Sequence, residues 1–203
     1  YNTGAVFPYL TGFAVQALFA RGQPMAARQV LDSQFALWSL RGRGFVEEHF
    51  AGDRAEVPER GVPHQIFSSA ALVEPVLSGW LGIAPDAVAG RLRLHPSLSP
   101  EPADVRVERL RVGETTLDLT LRRERRAEGG TRHVYRLRRR SGPHLSIAIS
   151  HPIAPLSRIL GARANGAELE VVAGRCFEWA DLELADELEV AIEMLEGPAV
   201  ILP

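Results

Sequence analysis

The sequence predicts an α+β chain in which helices come first and an antiparallel β-sandwich follows. Three observations carry that expectation. Apolar residues recur at helical spacing as far as Leu81. Beyond the prolines Pro85, Pro96, Pro100 and Pro102 the apolar period drops to two, as in half-buried strands. Turn signals then punctuate the strands at Val112-Gly113-Glu114, Glu128-Gly129-Gly130 and Asn165-Gly166. The expected division is a helical part over residues 1–90 and a sandwich over residues 91–203.

In order along the chain, Pro8 suits a first helical turn, where its missing N–H costs nothing. Leu10, Phe13, Ala14, Ala17 and Leu18 then set a helix to about Arg21, and Gly22 and Pro24 interrupt it. Ala26, Val30, Leu31, Phe35, Leu37 and Trp38 repeat the pattern to about Leu40, so the two segments read as a helical hairpin. A third helix is expected from His64 or Gln65 to Leu81. Pro75 should kink or break it near Glu74, and Gly82 should cap it. One short strand follows at Arg91-Leu92-Arg93-Leu94-His95. Alternation then marks Val105 and Val107; Leu117, Leu119 and Leu121; Leu145, Ile147 and Ile149; and Leu188, Val190, Ile192 and Met194. Asn165-Gly166 is the strongest hairpin signal.

Composition narrows the function. The chain has 203 residues and a net charge of −2, which gives no general pull toward nucleic acid or membrane. Arginines cluster from Arg122 to Arg140 and acids crowd the last third. Tyr135 is the only aromatic interleaved with the arginines, so basic and acidic strand faces in water explain the pattern better than a nucleic-acid surface. A single cysteine, Cys176, excludes an internal disulfide and reads as a small buried strand residue. No apolar run reaches the roughly 18 residues that cross a bilayer. The expected location is cytoplasmic, with a signal upstream of Tyr1 left open. His49, His64 and the nearby carboxylates do not fall at metal-ligand spacing, and no P-loop, dinucleotide fingerprint or nucleophile elbow occurs, so neither metal nor cofactor is expected.

The chemistry is expected in the long connection between the second and third helices. Its first stretch is Gly44-Phe45-Val46-Glu47-Glu48-His49-Phe50-Ala51-Gly52-Asp53, and it ends at Pro63-His64-Gln65-Ile66-Phe67-Ser68-Ser69-Ala70. Long connections inside a compact domain are usually functional or disordered, and the aromatic, apolar and helix-start residues here favour an ordered pocket mouth.

These two stretches, with Tyr1-Asn2-Thr3-Gly4-Ala5-Val6-Phe7-Pro8-Tyr9-Leu10-Thr11-Gly12-Phe13, resemble the end of a six-hairpin (α/α)6-toroid glycoside hydrolase. The likeness is strongest to bacterial glycogen debranching enzymes and amylo-α-1,6-glucosidases; glucoamylases, trehalases and mannosylglycerate hydrolases are more distant. Phe7 and Phe67 stand where that family more often has Trp. Gly79-Trp80-Leu81-Gly82-Ile83 and Leu92-Arg93-Leu94-His95-Pro96 are similar to its hand-over to a C-terminal sandwich. The fold so implied is the last helices of the toroid followed by an antiparallel β-sandwich.

The activity implied is inverting hydrolysis of an α-linked glucoside by two carboxyl groups. Match to the loop motif makes Glu48 the candidate base, with Glu47 the alternative one residue away. His49, His64 or Arg54 would be donors beside it. Tyr1, Phe7 and Phe67 would form walls on which sugar rings stack, or else pack in the core. His64 and Gln65 would hydrogen-bond sugar hydroxyls, or merely cap the helix. Nothing in residues 1–43 resembles the general acid, since the only acid there is Asp32 within a helix. The acid is therefore expected upstream, in the missing N-terminal part of the same protein, and the chain alone is expected to be inactive. The alternatives are a non-catalytic carbohydrate-binding or structural module and, more distantly, an inverting phosphorylase.

Overall fold

The computed structural model describes residues 4–38, 45–54, 56, 61–97, 104–126, 129–153, 157–171 and 176–196. The chain divides into two compact units, Tyr1–Gly82 with Ser97–Ser99, and Ile83–Pro96 with Pro100–Pro203.

The first unit holds β1 (Ala5–Val6), α1 (Pro8–Ala20), α2 (Pro24–Trp38), β2 (Phe50–Ala51), α3 (Ile66–Glu74) and a π-helical turn, Pro75–Trp80. Pro8 opens α1 after an extended Phe7. Its end is a Schellman motif: Gly22, at φ +68°, donates its N–H to the Phe19 carbonyl, and Gln23 donates to Leu18. Pro75 has no N–H to continue α3. The chain widens there into the π turn, which the Leu81 N–H closes on the Val76 carbonyl before Gly82 turns out at φ +59°. The expected break at Glu74 thus has a physical cause in the next residue.

The face that α1 buries differs from the expected one. Pro8, Gly12, Val15 and Phe19 are buried, whereas Leu10 and Phe13 are exposed, Phe13 by 64%. The helix is apolar on almost every side, so periodicity alone could not select the buried stripe. Gly12 selects it, because the absent side chain admits the backbone of α3: a Cβ there would lie 2.4 Å from the Ala71 carbonyl oxygen. Val15 and Phe19 join Ala27, Leu31, Val46 and Leu72 in one core cluster.

The toroid expectation is overturned. Among the described residues there are three α-helices against twelve strands in three sheets, so the chain is mostly β and is not an (α/α)6 toroid. Helical periodicity ends near Leu81, and from there on the apolar residues alternate with period two.

The second unit holds β3 (Ile83–Asp86), β4 (Arg91–Leu94), β5 (Asp104–Val112), β6 (Thr115–Arg125), β7 (Thr131–Ser141), β8 (Leu145–Pro152), β9 (Arg158–Ala164), β10 (Ala167–Glu168), β11 (Cys176–Leu184) and β12 (Glu187–Leu195). A six-stranded sheet runs β10-β9-β12-β7-β6-β5 and a four-stranded sheet runs β11-β8-β4-β3. The sandwich is not wholly antiparallel, because β4 runs parallel to β8. Parallel neighbours need a long crossover, and here β5, β6 and β7 of the other sheet supply it. Leu117, Leu119, Leu121, Ile147, Ile149, Val190 and Ile192 are all buried, as their alternation predicts. Cys176 lies in β11, and its side chain is outside the described residues.

Basic and acidic strands are neighbours: β7 pairs with β12 so that Arg136 opposes Glu189 and Arg138 opposes Glu187. Arg136 Nε donates to Glu189 at 2.7 Å. Asn165 and Gly166, at φ +47° and +85°, make the two-residue hairpin turn between β9 and β10. A bulge in β5 puts Arg109 at φ +57° and turns its N–H onto Asp118 Oδ1 at 3.0 Å. Arg140 and that N–H hold the Asp118 carboxyl down at about 2. Among the described residues, no helix is long and apolar enough to cross a membrane.

The sheets enclose a polar cluster. The Tyr135 hydroxyl lies 2.6 Å from His151 Nδ1, and the His133 and His151 rings meet at 4.7 Å between centroids. Burial lowers His133 to about 4, with nearby Arg123 adding to the effect, and lowers His151 to about 3, with His133 and His95 adding. Both rings are therefore neutral in the folded protein at pH 7, whereas in the unfolded chain they titrate near 6.5.

Two outcomes follow from this packing. Gly12→Ala should destabilise the chain by about 1–3 kcal/mol through overpacking, despite a gain in helix propensity of roughly 1 kcal/mol. Thermal unfolding measures it, and an unchanged midpoint would refute the close approach of α1 to α3. Because the folded state binds fewer protons than the unfolded one, the contribution of neutral His133 and His151 is fully present above about pH 6.5. It is lost as pH falls through about 4 and then about 3. His133→Phe should narrow the stability gap between neutral and acid pH in denaturant titrations; an equal gap in both proteins would contradict the buried-histidine account.

Candidate functional site: a carboxylate at an aromatic groove

The segment around Glu48 has little regular structure of its own, and its backbone is held from two sides. Val6 pairs with Phe50 and Ala5 with Ala51 across β1 and β2. On the other side, the Glu48 N–H donates to the Val62 carbonyl at 3.0 Å and the Gln65 N–H donates to Val46 at 3.1 Å. Gly52 packs against the Gly4 carbonyl so closely that no side chain would fit there. Val46 and Phe50 anchor the stretch in the interior. Glu48 is left half-buried between them.

The Glu48 carboxylate accepts from Gln65 Nε2 at 3.2 Å and from the Val62 N–H at 3.3 Å, and His49 Nδ1 lies 3.8 Å away. Gln65 Oε1 in turn accepts from Ser68 Oγ at 3.0 Å. The Phe7 ring stacks beside buried His49 at 5.5 Å and meets Tyr9 at 5.9 Å. Glu48, Gln65, Phe7 and Phe67 all line one groove of about 1060 Å³ within the first unit, together with Tyr9, Phe13, Gln16 and Glu74. Phe67 is 66% exposed, so its ring is a wall of that groove and not core packing.

The other expected residues are placed differently. Glu47 is 5% exposed and does not line the groove; its Oε2 has no hydrogen-bond partner among the described residues. His64 is exposed, with its ring on Phe45 at 4.1 Å, and is not on the groove wall. Arg54 pairs with Asp53 and Glu56. Of the three donors expected beside the base, only His49 is near Glu48. Tyr1 lies outside the described residues. No group of three or more metal-binding side chains occurs among the described residues.

Tyr9, Phe13, Gln16 and Glu74 were not anticipated as groove residues. A signal for the first three exists: they stand at i, i+4 and i+7 on one face of α1. Glu74, also on the groove wall, ends α3 nine residues after Gln65, roughly 13 Å along the helix at the helical rise.

No protein-family model and no curated protein matches the chain. The resemblance to debranching enzymes therefore finds no support from relatives. Among solved structures, the chain is similar to a GH127 β-L-arabinofuranosidase from Geobacillus stearothermophilus T6, with a TM-score of 0.37 and 11% identity over 63% of this chain and 18% of that one. The chain thus spans less than a fifth of that protein's length, and a likeness of this degree carries no argument about fold or mechanism.

Proposed function

We propose that the groove binds a carbohydrate and that Glu48 is the water-activating base of an inverting glycoside hydrolase, with an α-linked glucoside as substrate. One observation carries this reading: an acceptor-only carboxylate, steadied by two N–H donors, shares a groove with the exposed ring of Phe67 and with Phe7. Aromatic faces suit the apolar faces of sugar rings, and the carboxylate suits a hydroxyl or a water. In the reaction, Glu48 takes a proton from water as the water oxygen bonds to the anomeric carbon. The bond from that carbon to the leaving oxygen breaks, and a general acid protonates that oxygen.

The reaction needs a second carboxyl about 6.5–9.5 Å from the base, and nothing in residues 1–43 resembles it. A second reading for the chain taken alone is a carbohydrate-binding module without turnover, in which Gln16 and Glu74 offer further hydrogen-bonding groups on the groove wall.

The chain should bind maltotriose by calorimetry and should not hydrolyse it unaided. Phe67→Ala should weaken that binding while changing stability by less than about 0.5 kcal/mol, since the ring is mostly exposed. In a protein that joins this chain to its acid, Glu48→Gln should cut kcat by about 10²–10⁴-fold. Full turnover in both Glu48→Gln and Glu47→Gln would sink the catalytic reading, and failure of maltotriose and related glucosides to bind would sink both.

A further inference from the structure

We infer that Ser68, acting through Gln65, fixes the orientation of the Glu48 carboxylate and is thereby a positioning residue of the site. The inference rests on the proposed role of Glu48 and concerns a residue that touches neither the carboxylate nor the groove.

Three steps lead to it. An ionised carboxylate can only accept, so the end of the Gln65 amide that meets Glu48 Oε1 at 3.2 Å must be the NH2 group. That choice points the amide oxygen the other way, where Ser68 Oγ stands 3.0 Å off and donates to it. Ser68 is 0% exposed, so its hydroxyl proton has no water to bond and must be used inside the protein. Serines inside a helix often donate to the carbonyl four residues back. Ser68 donates instead to the side chain one turn earlier, at the residue that precedes α3.

The result is a directional chain, Ser68 hydroxyl to Gln65 oxygen and Gln65 amide to Glu48 oxygen. Reversing the Gln65 amide would set oxygen against oxygen at Glu48 and leave the NH2 group facing the hydroxyl. Gln65 thereby uses both ends of its amide within the protein, which makes it a support for the carboxylate before it is a contact for sugar. The Val62 N–H holds the second carboxylate oxygen, at 3.3 Å, so both oxygens of Glu48 are aimed by the protein.

The test follows the Glu48 carboxyl by carbon NMR titration in the 203-residue chain, alongside thermal unfolding and maltotriose binding. Gln65→Met keeps the length of the side chain and removes both of its bonds; it should raise the Glu48 titration midpoint by about one pH unit. Ser68→Ala should move it in the same direction by less, with the unfolding midpoint nearly unchanged, and Ser68→Thr should restore it because the hydroxyl returns. A wild-type midpoint in both Gln65→Met and Ser68→Ala overturns the inference. A shift in Gln65→Met alone removes Ser68 from it. These outcomes are independent of the proposed function: if maltotriose fails to bind while the midpoints move as expected, the positioning stands and the function falls. If maltotriose binds while no midpoint moves, only the positioning falls.

Discussion

Backbone hydrogen bonding across the stretch from Val46 to Ala51 is the constraint on which the candidate site depends. A segment this short cannot form a sheet of its own, and its buried N–H and C=O groups still need partners. It finds them in β1 on one side and in residues 62–65 on the other. Once those bonds are made, side-chain directions follow from the backbone. Val46 enters the helical core, Phe50 is buried behind β1, and Glu48 is delivered beside Gln65 at the mouth of the groove. Gly52 and Gly4 permit the closure, since the carbonyl of one occupies the space a side chain on the other would need.

The helices serve the same arrangement. The contact of Gly12 with Ala71 brings α1 and α3 together, and Gly12, Ala71, Phe13 and Phe67 all line the groove, with Phe13 and Phe67 exposed. An apolar helix that buries Val15 and Phe19 while exposing Leu10 and Phe13 trades core contacts for a lined surface. The sandwich is built on a different principle. Its sheets bury alternating aliphatic residues, and most of the polar atoms caught between them find partners there: the Tyr135 hydroxyl with His151 Nδ1, His151 Nε2 with Met194 Sδ, and His133 Nε2 with Thr131 Oγ1. His133 Nδ1 is the exception among the described residues. Burying a neutral imidazole with one unmet nitrogen is tolerable, whereas burying a charged one is not.

Local features were legible in the sequence wherever the residue type leaves the backbone no alternative. Pro75 had to end α3, Gly22 had to turn the chain after α1, Asn165-Gly166 had to be a hairpin, and strict alternation in β6 and β12 had to bury one face of each strand. What was not legible depended on partners distant in the chain. The buried face of α1 was set by Ala71, the parallel pairing of β4 with β8 by a crossover through the other sheet, and the burial of Glu47 by the pinning of its neighbours. The toroid failed for a related reason: three short motifs resembled a family in the first hundred residues, while the architecture is set by all the residues, and most of these alternate with period two. At the site, the motif reading distinguished the glutamates only by register. The hydrogen bonds distinguish them physically, since Glu48 is on the groove wall with two donors and Glu47 is behind it.

That difference between adjacent carboxylates bears on what the site can do. A base must present a carboxylate lone pair to water while the protein restrains its orientation. Glu48 lines the groove, and each of its oxygens accepts one hydrogen bond, Oε1 from Gln65 and Oε2 from the Val62 N–H, so further lone pairs are left for a water. Glu47 is buried, does not line the groove and has one carboxylate oxygen without a hydrogen-bond partner among the described residues, so it is not placed to meet a water there. On the proposed reading, one restrained carboxylate between aromatic walls suits a polyhydroxylated ring with a water beside it. Cleavage needs a second, proton-donating group on the opposite face of the ring. Among the described residues that line the groove Glu74 is the one other carboxylate, and the proposed cleavage therefore depends on a proton donor besides Glu48.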